Sequence, residues 1–145
     1  MKYNEQLIKQ YNRERFALLK KFKLPNDQYA ITGSGPIGIR NIRVIGDIDI
    51  IVTPELLDKL ITQYKIIDED GVKKIILLEG VVEAFWEGSF YCAPVDVEAP
   101  TIADRIKSAE VIDGLPFDSL ENILYYKRRD ARKKDLIDML RLNAG

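Results

Sequence analysis

Apolar positions along the chain change period several times, and each change marks an element. From Asn4 to Phe22, Leu7, Ile8, Tyr11, Leu18, Leu19 and Phe22 fall on one stripe of an amphipathic helix. Lys9, Arg13, Glu14, Arg15, Lys20 and Lys21 occupy its other face, a solvated surface or one that meets an acidic partner. Pro25-Asn26-Asp27 ends the helix. A short apolar run from Ala30 then stops at Gly33-Ser34, and Gly46 to Val52 alternates with the period of a strand. Residues two apart in a strand share a face, so Asp47 and Asp49 point one way while Ile48 and Ile50 enter a core. Thr53-Pro54-Glu55 is a helix start, with Leu56, Leu57, Leu60, Ile61 and Tyr64 as its buried stripe. Asp70-Gly71 turns a hairpin between two β-rich runs, and Val81 to Trp86 forms a further strand.

The tail is helical in pattern. Asp113-Gly114-Leu115-Pro116 reads as a turn, and Asp118 as the cap of a helix with Glu121 three residues on. Leu120, Ile123 and Leu124 form the buried face of that helix. A second helix, from about Arg132 to Leu142, buries Leu136, Ile137 and Leu140. No repeat or low-complexity linker interrupts the chain. The pattern predicts one α+β domain over residues 1–145, with an N-terminal helix at 4–22, a core at 28–98 and C-terminal helices at 101–143. Its mixed sheet should hold about four to five strands, with helices packed around it.

Composition narrows the chemistry. Histidine is absent, which removes Ser-His-Asp catalysis and His-ligated zinc. The 22 basic residues are balanced by 23 acidic ones, so no global positive field advertises nucleic acid. Cys92 has no partner cysteine and reads as a packed thiol. No apolar run is long enough to span a membrane and no leader pattern opens the chain, so a cytoplasmic setting without membrane partners is expected. Phe85, Trp86 and Phe90 are candidates for core or for an interface.

Two carboxylates on one side of a strand repel unless a cation lies between them. Asp47 and Asp49 are hard oxygen donors of the kind that hold magnesium, which completes its shell with water and phosphate oxygens. Gly33-Ser34, at a strand-to-helix turn, offers backbone amides and a hydroxyl to an anion. Two residues compete as a third carboxylate: Glu83, in the apolar strand Val81–Trp86, and Asp96, in Pro94-Val95-Asp96-Val97-Glu98. Flanking prolines make the second an edge strand or loop, and a central strand positions a group better, so Glu83 is preferred.

Gly33, Ser34, Asp47 and Asp49 resemble the signature of the nucleotidyltransferase fold of the DNA polymerase beta type: Gly-Ser, a spacer, Asp-x-Asp, and a third acid on a later strand. The serine is followed here by Gly-Pro-Ile-Gly-Ile-Arg, where many small antitoxin-like members carry an Ala-Arg-Gly sequence. The tail is also similar to that of small prokaryotic nucleotidyltransferase-like domains. Lys127, four spacers, then Arg132-x-Lys134-Asp135-x-x-Asp138 stand at the recurring positions. The resemblance implies a two-metal transfer of an NMP from an NTP, ATP first among them, to a hydroxyl acceptor. Asp47, Asp49 and Glu83 would bind Mg²⁺ (or Mn²⁺), with Asp96 the alternative third ligand. Gly33, Ser34, Arg43, Lys127 and Arg132 would contact the nucleotide, and Asp135 would pair with a cation to fix the tail helices. Arg40 and Arg43 lie between cradle and carboxylates, to neutralise phosphate or to pair with the acids. Two other readings remain open: a non-catalytic nucleotide- or partner-binding module of the same fold, and a toxin or antitoxin component acting on tRNA or a protein hydroxyl.

Overall fold

The computed structural model describes residues 2–89 and 99–144. Phe90, Cys92 and Asp96 lie outside the described residues, and so do the expectations attached to them.

The chain is α+β, with a mixed sheet flanked by helices. Helix α1 (Lys2–Phe22) leads into strand β1 (Tyr29–Thr32), short helix α2 (Gly35–Gly38), strand β2 (Ile48–Val52) and helix α3 (Pro54–Leu60). Strands β3 (Ile67–Glu69), β4 (Val72–Leu77) and β5 (Val82–Phe85) follow. After helix α4 (Ile102–Lys107) come strands β6 (Glu110–Ile112) and β7 (Leu115–Phe117), then helices α5 (Leu120–Asp130) and α6 (Lys133–Ala144). The sheet order is β3-β4-β5-β2-β1-β7-β6. Strand β2 is antiparallel to β1 and parallel to β5, while β7 runs parallel to β1.

Seven strands replace the four to five expected. The surplus comes from Glu110–Phe117, which forms an antiparallel hairpin about Asp113-Gly114 on the far side of β1. Its strands are too short for periodicity to register, and Pro116 argues against a strand on sequence grounds. The other hairpin turns at Asp70-Gly71, both at positive φ, as a tight turn between twisted strands requires.

Both faces of the sheet are covered. Ile31, Ile48, Ile50, Val52, Ile75, Leu77 and Phe117 join Phe16 and Leu19 of α1 and Leu56 and Leu60 of α3 in the larger core. On the other face Ala30, Ile51 and Phe85, aligned across three strands, pack against Ile102 and Ile106 of α4. Phe85 is therefore core.

Two predicted stripes are rotated. In α1 the buried residues are Asn12, Phe16 and Leu19, at helical spacing, whereas Leu7, Tyr11 and Leu18 are exposed. Asn12 won the inward position because its side chain satisfies buried backbone: Nδ2 donates to the carbonyls of Gly38 and Arg43, and Oδ1 accepts from Ile45 N–H. In α6 Leu136, Ile137 and Leu140 face outward, Leu140 at 70% exposure, while Asp135 and Asp138 are buried. Ion pairing to inward-facing cations overrides the apolar pattern there. The α5 cap also differs by one residue. The Ser119 hydroxyl accepts from Asn122 N–H, and Asp118 is drawn instead into a buried pair with Arg105.

Candidate functional site

Strand register places the acids. Thr32 lies opposite Asp49 across the β1–β2 pair, and Asp49 opposite Glu83 across the β2–β5 pair. Cross-strand partners share a face, so these three residues form one row on the side where α4 covers Ala30, Ile51 and Phe85. The row lies two residues beyond that helix's contacts, and Asp49 and Glu83 open into a cleft of about 760 Å³. Asp47 lines the same cleft just before β2 begins and is well exposed. The cleft thus brings together Asp47, Asp49, Glu83, Ser34, Arg43 and Arg132 from the sequence-derived set. Lys127 sits in a smaller adjoining cavity of about 80 Å³, whose walls also include Gly33, Ser34 and Asp49.

Gly33 is the tightest point of this arrangement. Its φ is +63°, and a Cβ built on it would lie 2.9 Å from Asp49 Oδ2. Glycine is required twice, by conformation and by the carboxylate pressed against its backbone. Gly33→Ala should cost about 1–2 kcal/mol in a urea titration and push Asp49 out of its row. An alanine variant with an unaltered midpoint would show that Asp49 does not pack against this turn. The turn's amides are partly committed: Ile37 and Gly38 N–H both donate to the Ser34 carbonyl, and Pro36 has no N–H to give. The Ser34 hydroxyl accepts from Arg43 Nη2 at 3.1 Å, which fixes its position.

Charge is unevenly compensated. Burial pushes Asp49 up to about 7, helped by the negative charges of Glu83 and Asp47 and opposed by Lys134 and Lys74. Lys74, on β4, holds Glu83 at 2.8 Å and Glu69 at 3.4 Å. The hydrogen bond to Glu83 raises the lysine's pKa. Arg15 of α1 donates to the Gly46 carbonyl at 2.8 Å and reaches Asp47 at 4.0 Å. Nothing in the sequence signals that role, since Arg15 belongs to the charged face of a helix thirty-one residues away.

Arg43, Lys127 and Arg132 are occupied by the tail carboxylates. Arg43 makes a two-pronged bond to Asp138, at 2.6 and 2.8 Å, and Lys127 Nζ lies 3.0 Å from the same carboxylate. Arg132 holds Asp135 at 2.8 Å, with Lys127 3.6 Å from it. Burial works to raise both carboxyls, yet the hydrogen bonds from Arg132, and from Arg43 and Lys127, outweigh it and hold them below the usual range. The expected pairing of Asp135 is therefore present, and it uses two cations of the nucleotide-contact set. Lys134 and Arg141 also line the cleft, and among the described residues neither makes an ion pair with a carboxylate. Lys134 was legible in the tail motif as a member without a role. Arg40 reaches Glu110 rather than the site's acids.

Among the described residues, no three acidic, cysteine or histidine side chains converge into a ready-made metal cage. No helix among the described residues is long and apolar enough to cross a membrane. Comparison with protein-family models, with curated proteins and with solved structures gives no match.

Proposed function

We propose that this chain is a Mg²⁺- or Mn²⁺-dependent nucleotidyltransferase that moves an NMP from an NTP to a hydroxyl acceptor. The observation that carries the reading is the Asp49–Glu83 pair, in register on parallel strands, with Asp47 beside it and the Ser34 turn in the same cleft. The donor set fits a hard cation: it consists of carboxylate oxygens, and a cation would offset the burial and the charges of Glu83 and Asp47 that raise Asp49 to about 7. Asp47, Asp49 and Glu83 would hold the metal, which supplies Lewis-acid neutralisation of phosphate charge. The chain's own groups do the rest. Ser34 and the Gly33 turn bind the β- and γ-phosphates, and Lys134, unpaired beside Asp49, offsets their charge. Glu83, oriented by Lys74, takes the acceptor's proton on a carboxylate oxygen. The acceptor oxygen bonds to the α-phosphorus as the α–β bridging bond breaks, and pyrophosphate leaves.

The occupied state of Arg43, Lys127 and Arg132 favours a second reading, a nucleotide- or partner-binding module without turnover. Glu83→Gln separates the two. Turnover measured as pyrophosphate release should fall at least about a hundredfold, while affinity for a non-hydrolysable NTP changes little. Unchanged turnover would remove Glu83 from the chemistry, and absence of turnover in wild type with intact nucleotide binding would favour the module.

A further inference from the structure

The charged face of α1 carries groups that the proposed chemistry does not use. Lys9, Arg13 and Lys20 stand on one helical stripe, at i, i+4 and i+11, with Phe16 between them. They line a groove of about 370 Å³ that shares no wall with the cleft, and Ala17 and Ile39 give it accessible apolar surface over the buried Phe16 and Leu115. That volume falls in the range of small-molecule sites, roughly 300–1,000 Å³. Among the described residues, none of the three cations makes an ion pair with a carboxylate. Lys20 Nζ donates at 2.9 Å to the backbone carbonyl of Asp113, a neutral acceptor. Asp113 is, among the described residues, the one acidic residue on the groove's walls. Three cations against one carboxylate leave a part-apolar groove net positive, complementary to an anion with a hydrophobic body.

The groove is preformed. Asn12, one of its walls, is fixed to the carbonyls of Gly38 and Arg43 and to Ile45 N–H, so α1 and the α2 end of the groove hold a single relative position. A rigid site loses little ordering entropy on binding. Lys9 and Arg13 are separated by about 6 Å along the helix axis, given the rise per residue, so one phosphate group can lie between their side chains.

We propose that this groove binds an organic phosphate carrying a flat apolar ring, of nucleoside monophosphate size. The phosphate lies between Lys9 and Arg13, Lys20 adds positive field, and the ring packs against Ala17 and Ile39. The site is independent of the transfer reaction and stands or falls separately from it.

The test is titration of the full chain with AMP in the presence of EDTA, followed by backbone amide chemical shifts. Adenosine and inorganic phosphate serve as controls. Saturable shifts are expected at residues 9–20, 38–41 and 113–115, with adenosine and phosphate each binding more weakly than AMP. A Lys9→Gln/Arg13→Gln variant should bind at least about tenfold more weakly, a loss of about 1.4 kcal/mol. Both positions are exposed, so the fold should be retained. Asp49→Asn should leave this binding unchanged. Shifts confined to residues 33–34 and 47–49, adenosine or inorganic phosphate matching AMP, unchanged affinity in the double variant, or no saturation at millimolar AMP would each overturn the proposal.

Discussion

Asp49→Asn should make the protein more stable at pH 8 while removing the metal-dependent activity proposed for it. The carboxyl of Asp49 is raised from an ordinary 3.8 to about 7 by burial and by the charges of Glu83 and Asp47. A raised acid keeps its proton in the folded state at pH values where the unfolded chain has released it. The native state then binds more protons than the unfolded one, and stability falls as pH climbs from about 4 to about 7. At the conversion of 1.36 kcal/mol per pKa unit, the decline contributed by Asp49 is about 4 kcal/mol at most. Asparagine has no charge to desolvate and lacks this decline. Urea midpoints should therefore agree near pH 4 and separate by pH 8, with the variant the more stable. Added Mg²⁺ should close the gap by stabilising only the wild type, because a cation compensates the charge that burial penalises. Parallel pH profiles for the two proteins would mean that Asp49 is not strained in this way.

Asp118→Ala should be the most damaging single substitution away from the cleft. Asp118 Oδ2 accepts from Arg105 Nε at 2.9 Å, from Arg105 Nη2 at 2.6 Å and from Thr32 Oγ1 at 3.0 Å. Oδ1 accepts from Asn122 at 2.8 Å. Arg105 is itself buried, with its guanidinium 4.5 Å from the Tyr126 ring centroid and Nη1 already without a hydrogen-bond partner. Removing the carboxylate strands a buried guanidinium, a loss of about 3–5 kcal/mol. That is a large part of the stability of a domain this size, roughly 5–15 kcal/mol. An apolar double replacement, Arg105→Met/Asp118→Leu, should recover much of the loss, because it removes both charges together. A single Asp118→Ala variant within 1 kcal/mol of wild type by urea titration, at about the scale of a surface pair, would show that the pair is solvated.

What the sequence made legible follows from the range of each interaction. The β2 alternation, the Asp70-Gly71 hairpin and the Gly33-Ser34 turn are local and were readable, as was the inward course of Ile48 and Ile50. The row Thr32–Asp49–Glu83 depends on register between strands far apart in sequence; apolar flanks marked its two carboxylates as strand residues, whereas Thr32 carried no signal. Apolar periodicity failed where polar groups took the inward positions. Asn12 bonds buried backbone, and Asp135 and Asp138 answer Arg132, Arg43 and Lys127. A hydropathy pattern scores such residues as solvent-facing. The β6–β7 hairpin showed only its Asp113-Gly114 turn, with Pro116 arguing against its second strand, and the Arg105–Asp118 pair, linking α4 to the end of β7, has no local signature at all.

The most direct test of the nucleotidyltransferase reading is calorimetric titration of a non-hydrolysable NTP with Mg²⁺ into wild type and into Asp47→Asn/Asp49→Asn. The reading predicts magnesium-dependent binding by the wild type and its loss in the double variant. Binding that is equal in the two proteins, or independent of the metal, would contradict it.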